Sequence, residues 1–207
     1  MKHLFSIALI SLGLNISSSQ EAFLNLGRNF TTYDYTNSQL ESNPNLESSS
    51  GASYELGYIF NSVLGNKVDI ATSLTLDQFN ATGGNMVNNY SWNTNYFGFQ
   101  TVFKYKLIEK SNRSKFAIDI NAGINFNHII DGEQKINGQT FKLTDQEEFN
   151  GLFIKHVSGL QFKYYLVDDV AIGISYHFSK NYALNGGDEN LNFNNHQLQF
   201  GILMSTK

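Results

Sequence analysis

Strict alternation of side-chain character is the feature that most narrows what this chain can fold into. In segment 170–180, Val170, Ile172, Ile174, Tyr176 and Phe178 fall on one face and Ala171, Gly173, Ser175, His177 and Ser179 on the other. That period of two belongs to an extended strand and to no helix. Segment 116–129 repeats it, with Phe116, Ile118, Ile120, Ala122, Ile124 and Phe126 against Asp119, Asn121, Gly123, Asn125 and Asn127. In segment 92–107, Phe97, Phe99, Phe103 and Tyr105 oppose Gly98, Gln100 and Lys104; in segment 191–205, Leu198, Phe200, Ile202 and Met204 oppose Gln197, Gln199 and Gly201.

Alternation does not say which face points inward, and a soluble ligand-carrying barrel would enclose the oily one. Glycine decides the matter. Gly27, Gly57, Gly98, Gly123, Gly159, Gly173 and Gly201 all lie on the polar face. Glycine weakens a strand and marks close packing, which a solvated exterior does not need. The interior of an eight-stranded barrel is only wide enough for side chains to fill it. The polar face is therefore read as lumen and the oily face as lipid contact.

Eight such segments are expected: 22–35, 52–61, 68–79, 92–107, 116–129, 152–166, 170–180 and 191–205. The connections between them are alternately long (36–51, 80–91, 130–151, 181–190) and short (near 64–66, 109–115 and 168–169). Long external loops and brief periplasmic turns give that rhythm, with both chain ends on the periplasmic side. The predicted fold class is all-β, an eight-stranded antiparallel up-and-down transmembrane β-barrel. Each segment is long enough for a tilted spanning strand, which needs about 9–11 residues.

Residues 1–19 read as a secretory signal peptide. Lys2 gives the positive start, Leu4 to Leu14 the short apolar run, and Ser17 and Ser19 the small cleavage positions before Gln20. Residues 20–207 are read as one barrel domain. The chain has no cysteine, so neither a disulfide framework nor a thiol-borne lipid anchor is expected. Charged residues are 15% of the chain and the net charge is −4, with no basic stripe to suggest a nucleic-acid partner.

The strand Val170 to Phe178 and the closing Leu198-Gln199-Phe200-Gly201-Ile202 resemble the small outer-membrane β-barrel domain family. That porin-like group contains outer membrane protein X and the membrane half of outer membrane protein A. The resemblance spans the whole mature chain and implies a bacterial outer-membrane location, contact with lipid and lipopolysaccharide, and handling by the outer-membrane assembly machinery. Many members end on an aromatic residue, whereas this chain runs on through Ser205 and Thr206 to Lys207. The peptidoglycan-binding domain of some relatives is expected to be absent.

Several side-chain sets are candidates for function. Asp69, Lys104, Asp119 and Lys163 fall on successive strands toward the periplasmic end and are expected to form an alternating ladder, with Glu55 and Asp77 on the same lumen face. Buried charges persist when paired, so the ladder is read as a plug. Gly57, Gly98, Gly123, Gly159, Gly173 and Gly201 are the expected lumen glycines. Tyr33, Tyr54, Trp92 and Phe178 are expected in the loop-side aromatic girdle, and Phe60, Tyr105, Phe116 and Tyr164 in the turn-side one. Strict alternation sends Arg28 into lipid, so a bulge or inward turn after Gly27 is expected.

His156 and Ser158 share the lipid-facing side, with His128 on the strand before. The pair weakly resembles the motif of lipid A deacylases, but no acid completes it, and Gly159 stands where that family carries asparagine. No metal-ligand spacing or cofactor site is expected. Acidic residues Glu41, Glu47, Asp131, Glu133, Asp145, Glu147, Glu148, Asp188 and Glu189 crowd the long loops, an acidic rim suited to cation-bridged contact with lipopolysaccharide or to a basic partner.

The leading functional expectation is a monomeric, non-enzymatic outer-membrane barrel with a plugged lumen and an envelope-structural or surface-interaction role. An accessory barrel of an envelope export or assembly system, with a periplasmic partner, is the second expectation. A deacylase-like enzyme using His156 and Ser158, and a soluble ligand-carrying barrel, are the others.

Overall fold

The computed structural model describes residues 20–36, 46–84, 89–111, 114–146, 149–184 and 190–206. Ten strands are formed: β1 (Gln20–Thr36), β2 (Leu46–Phe60), β3 (Val68–Gln78), β4 (Ala81–Gly84), β5 (Asn89–Ile108), β6 (Phe116–Ile136), β7 (Gln139–Lys142), β8 (Leu152–Val167), β9 (Val170–Ala183) and β10 (Asn190–Thr206). Eight of them close a ring in the order β1-β2-β3-β5-β6-β8-β9-β10, and β10 pairs back onto β1 from Gln20↔Thr206 to Thr36↔Asn190. Every pairing is antiparallel. Closure leaves no unpaired edge along the wall, the condition for placing strands in hydrocarbon.

Burial runs opposite to that of a soluble domain. Leu56 is 60% exposed and Ile174 54%, whereas Asp119 is fully buried and Lys155 only 2% exposed. The lipid-facing belt includes Leu74, Phe97, Phe99, Phe162, Leu198 and Phe200. A soluble ligand-carrying barrel is excluded by this arrangement, because the enclosed face is the hydrophilic one.

The lumen glycines face inward against close neighbours. A Cβ at Gly159 would collide with the Tyr176 carbonyl and the His177 ring, and one at Gly123 with the Thr101 carbonyl. At Gly98 it would stand 2.6 Å from Asn125 Oδ1, and at Gly201 it would strike the same atom of Asn25. Gly57 meets Thr72 and Ser73 in the same way, and Gly173 is looser, with Leu203 Cδ1 at 3.2 Å.

Strand enters all four expected long connections, β2 beginning at Leu46 and β9 running to Ala183, and two of them hold a further strand of their own. After Phe79 and Asn80 the chain resumes as β4, which pairs with both β2 and β5. The Asn80 side chain spans the gap, accepting from Thr94 N at 3.1 Å and donating to the Ser50 carbonyl at 3.1 Å. Beyond a register shift at Ile130, β6 continues to Ile136 and turns through Asn137 (φ 50°) and Gly138 (φ 86°) into β7. Positive φ at both central residues is the hairpin turn that Asn-Gly favours. A three-stranded ribbon of β5, β6 and β7 therefore stands on the loop side. The expected break after Gly27 does not occur: β1 stays in register and Arg28 points outward, its Nη1 donating to Ser50 Oγ at 3.1 Å. A long side chain reaching toward the rim removes the need for a bulge.

Candidate functional site: the filled lumen

Lumen contents change with height. At the loop end an aromatic cluster fills the mouth: Tyr33, Phe79, Tyr96, Phe153 and Phe193, joined by Leu143 and Phe149 from the 143–151 segment. Ring centroids lie 4.8 Å apart for Phe79 and Phe193 and 5.5 Å for Tyr96 and Phe153, within the range of favourable aromatic packing. The Phe79 carbonyl accepts from Tyr33 Oη at 2.6 Å and from the Thr94 hydroxyl.

Tyr33 and Trp92 thus depart from the expected girdle. Tyr33 is 5% exposed inside the cluster, and Trp92 packs against it with ring centroids 6.3 Å apart. The reason is parity: Tyr33 shares the face of Gly27, and Trp92 that of Gly98. Inward direction prevails over the interfacial preference of the side chain. Tyr54, Tyr105, Phe116 and Phe178 are exposed on the lipid side. Phe60 and Tyr164 share that side half-buried, and the Phe116 and Tyr164 rings lie 5.0 Å apart.

Below the aromatics lies a polar layer. Asp77 pairs with Lys155 at 2.8 Å and accepts from Asn29 and Gln197, both at 3.2 Å. Lys155 Nζ also sits 5.4 Å over the Phe79 ring, joining this layer to the cluster above. Glu55 accepts from Ser73 at 2.7 Å, Gln100 at 2.8 Å and Asn25 at 2.9 Å. Among the described residues no ammonium lies within ion-pair distance of Glu55. A cavity of about 20 Å³ beside it is bordered by Lys104, Asn121, Gln161 and His177, about the room one water needs.

Toward the turn end, Asp119 is shared by Lys163 at 2.8 Å and Lys104 at 3.9 Å. Lys104 also donates to Gln161 Oε1 at 2.7 Å and Asn121 Oδ1 at 3.1 Å. The expected ladder is altered at Asp69. Although Asp69 and Lys104 are register partners, the carboxylate pairs with Lys106 at 2.9 Å and accepts from Ser62 N at 2.7 Å. The backbone N–H of the 61–67 turn holds it at the mouth, beside a cavity of about 250 Å³ bordered by Glu21, Lys110, Lys163 and Tyr165. Lys155 was not among the expected lumen bases. Its spacing of four and eight from Gly159 and Lys163 puts it on the same face and was the signal available.

His156 and Ser158 face outward on β8. Ser158 Oγ points to the Phe178 carbonyl at 3.5 Å. His156 packs edge-on to Tyr182, with ring centroids 5.6 Å apart, and its register partner on β9 is the cation Lys180. Where a catalytic imidazole needs an orienting carboxylate, the neighbour is positive. His128 is hydrogen-bonded to the Gly151 carbonyl at 3.0 Å. Among the described residues no three His, Asp or Glu gather as metal ligands. The signal peptide and the rim residues Glu41, Glu147, Glu148, Asp188 and Glu189 lie outside the described residues.

A closed eight-stranded barrel, oily outside and ion-paired inside, has the fold of the small outer-membrane β-barrels, and the protein is placed in the bacterial outer membrane. The structure of outer membrane protein OprG from Pseudomonas aeruginosa matches with a TM-score of 0.58 at 9% identity, over 90% of this chain and 95% of that one. The outer membrane protease OmpT from Escherichia coli matches at 0.49 and 9% identity, over 91% and 97%. Ail, the attachment invasion locus protein of Yersinia pestis, matches at 0.41 and 11% identity, over 87% and 97%. No protein-family profile and no curated protein sequence matches the chain.

Proposed function

We propose that this protein is a non-enzymatic outer-membrane barrel with a sealed lumen, serving the envelope as a rigid mount for surface-exposed loops. One observation carries the reading: above a cavity of about 250 Å³ at the turn mouth, the lumen is closed by paired charges and amides and then, at the loop end, by aromatic rings. Four carboxylates (Glu55, Asp69, Asp77, Asp119) face four ammoniums (Lys104, Lys106, Lys155, Lys163). An ion entering this matrix has to displace partners whose desolvation is already compensated.

The reading as a non-enzyme is supported by the surroundings of Ser158, whose hydroxyl points at a ladder carbonyl, and of His156, which stands beside Lys180. Planar-bilayer recordings test the sealed lumen. The parent protein is expected to give no steady large conductance, and steady large channels overturn the proposal. Release of acyl chains from lipid A by the parent, abolished in Ser158→Ala, overturns the non-enzymatic part separately.

A further inference from the structure

We infer that the lipid-facing wall of β1, β10, β9 and β8 carries a binding site for the phosphorylated glycolipid headgroup of the outer leaflet. The observation is a single row of register partners. Thr32 on β1 pairs with Asn194 on β10, Asn194 with Lys180 on β9, and Lys180 with His156 on β8. All four side chains lie on the outward parity. The row below adds His196, held by Tyr176 Oη at 2.7 Å, and the row above adds Tyr182. Lys180 Nζ lies 5.2 Å over the Tyr182 ring, and His156 packs against the same ring. Arg28 lies two outward positions below Thr32 on β1, its guanidinium donating to Ser50 Oγ.

Height places this row at the headgroup level. Eight strand residues separate His156 from Tyr164, which stacks on Phe116 at the turn side; at a tilt of about 40° they rise about 20 Å, in a lipid band about 25 Å tall. The strands are about 4.8 Å apart, so the row is about 14 Å wide, room for a disaccharide headgroup. Among the described residues no carboxylate lies within ion-pair distance of Lys180, His156 or Arg28; Asp34 stands above Thr32, at the end of the row away from Lys180. An unpaired cation facing outward there is best satisfied by an anion from the bilayer itself. Asn194 and Thr32 offer the hydrogen-bonding groups a sugar needs.

The wall of β3 and β5 differs. At the loop side of β3 and β5 it presents Gln78 and Asn95, which bond one another at 3.0 Å and carry no charge. Further round, β6 carries His128 outward, its ring engaged by the Gly151 carbonyl at 3.0 Å.

Native mass spectrometry of the delipidated protein in a non-ionic detergent tests this. The probes are bisphosphorylated lipid A, lipid A stripped of phosphate, phosphatidylglycerol and inorganic phosphate. The parent is expected to hold bisphosphorylated lipid A at least about tenfold more tightly than the other three, about 1.4 kcal/mol by the affinity relation. Lys180→Gln combined with His156→Gln is expected to remove that preference, and Asn95→Ala on the opposite wall to keep it. Equal retention of dephosphorylated lipid A or phosphatidylglycerol overturns the site, as does an unchanged preference in the double variant. Heat-dependent gel mobility checks folding. If the double variant does not fold, Lys180→Gln against Lys180→Arg decides in the same way: loss in the first with retention in the second is expected, and equal binding by both overturns the proposal.

Discussion

The two ends of the lumen are sealed by different physics. At the loop end Tyr33, Phe79, Tyr96, Phe153 and Phe193 pack ring on ring. At the turn end Asp119 is wedged between Lys163 and Lys104 above a cavity of about 250 Å³. Ring packing is tolerant of shape and blind to charge, so it loses stability in proportion to the volume removed. A buried ion triad loses little until one member is taken away, and then leaves a charge without compensation.

Asp119→Ala should therefore have the largest effect, stranding two lysines and lowering stability by about 3–5 kcal/mol. Urea unfolding in lipid vesicles measures it, and a loss under about 1 kcal/mol breaks the contrast. Phe193→Leu, which keeps an apolar group in the aromatic plug, should lose only about 1–1.5 kcal/mol. A loss equal to that of Asp119→Ala would mean that the plug is as exacting as the triad. Tyr96→Phe should change stability by no more than about 1 kcal/mol in the same assay, because the plug rests on the ring.

The smallest effect is expected at the surface of the turn end, where Lys110 Nζ contacts Asp168 Oδ1 at 2.7 Å. Its hydrogen bond and charge hold the Asp168 carboxyl below its ordinary value of 3.8. A depressed carboxylate stabilises the fold above that ordinary value and loses its contribution as pH falls through the folded pKa. Thermal midpoints of the parent and Lys110→Ala should differ slightly at neutral pH and converge in acid. A gap that widens in acid contradicts the pairing.

The wall was legible in the sequence because period two and inward glycines are local signals that every strand repeats. The pattern is lost where a local signal changes phase. At Ile130 the register shift exchanges the faces, so the alternation of one phase ends at Ile129 although β6 runs on to Ile136. The Asn137-Gly138 turn was a readable hairpin cue lying past that point. Charge partners were less legible than faces. Asp69 and Lys104 are adjacent in register, yet a backbone N–H in the neighbouring turn steers the carboxylate to Lys106. Such a choice depends on three-dimensional position and leaves no mark in spacing. Tyr33 faces the lumen because Gly27 fixes its parity, against the interfacial preference of an aromatic side chain near a strand end.

The β5-β6-β7 ribbon gives the outer surface a mast. Its tip at Asn137 and Gly138 lies nine and ten positions beyond His128, about 20 Å further out at strand rise and tilt. An epitope spliced between those residues would be held clear of the barrel rim on a stiff stem. An antibody or host protein meeting it would forfeit less freedom on capture than with a slack tether of equal reach.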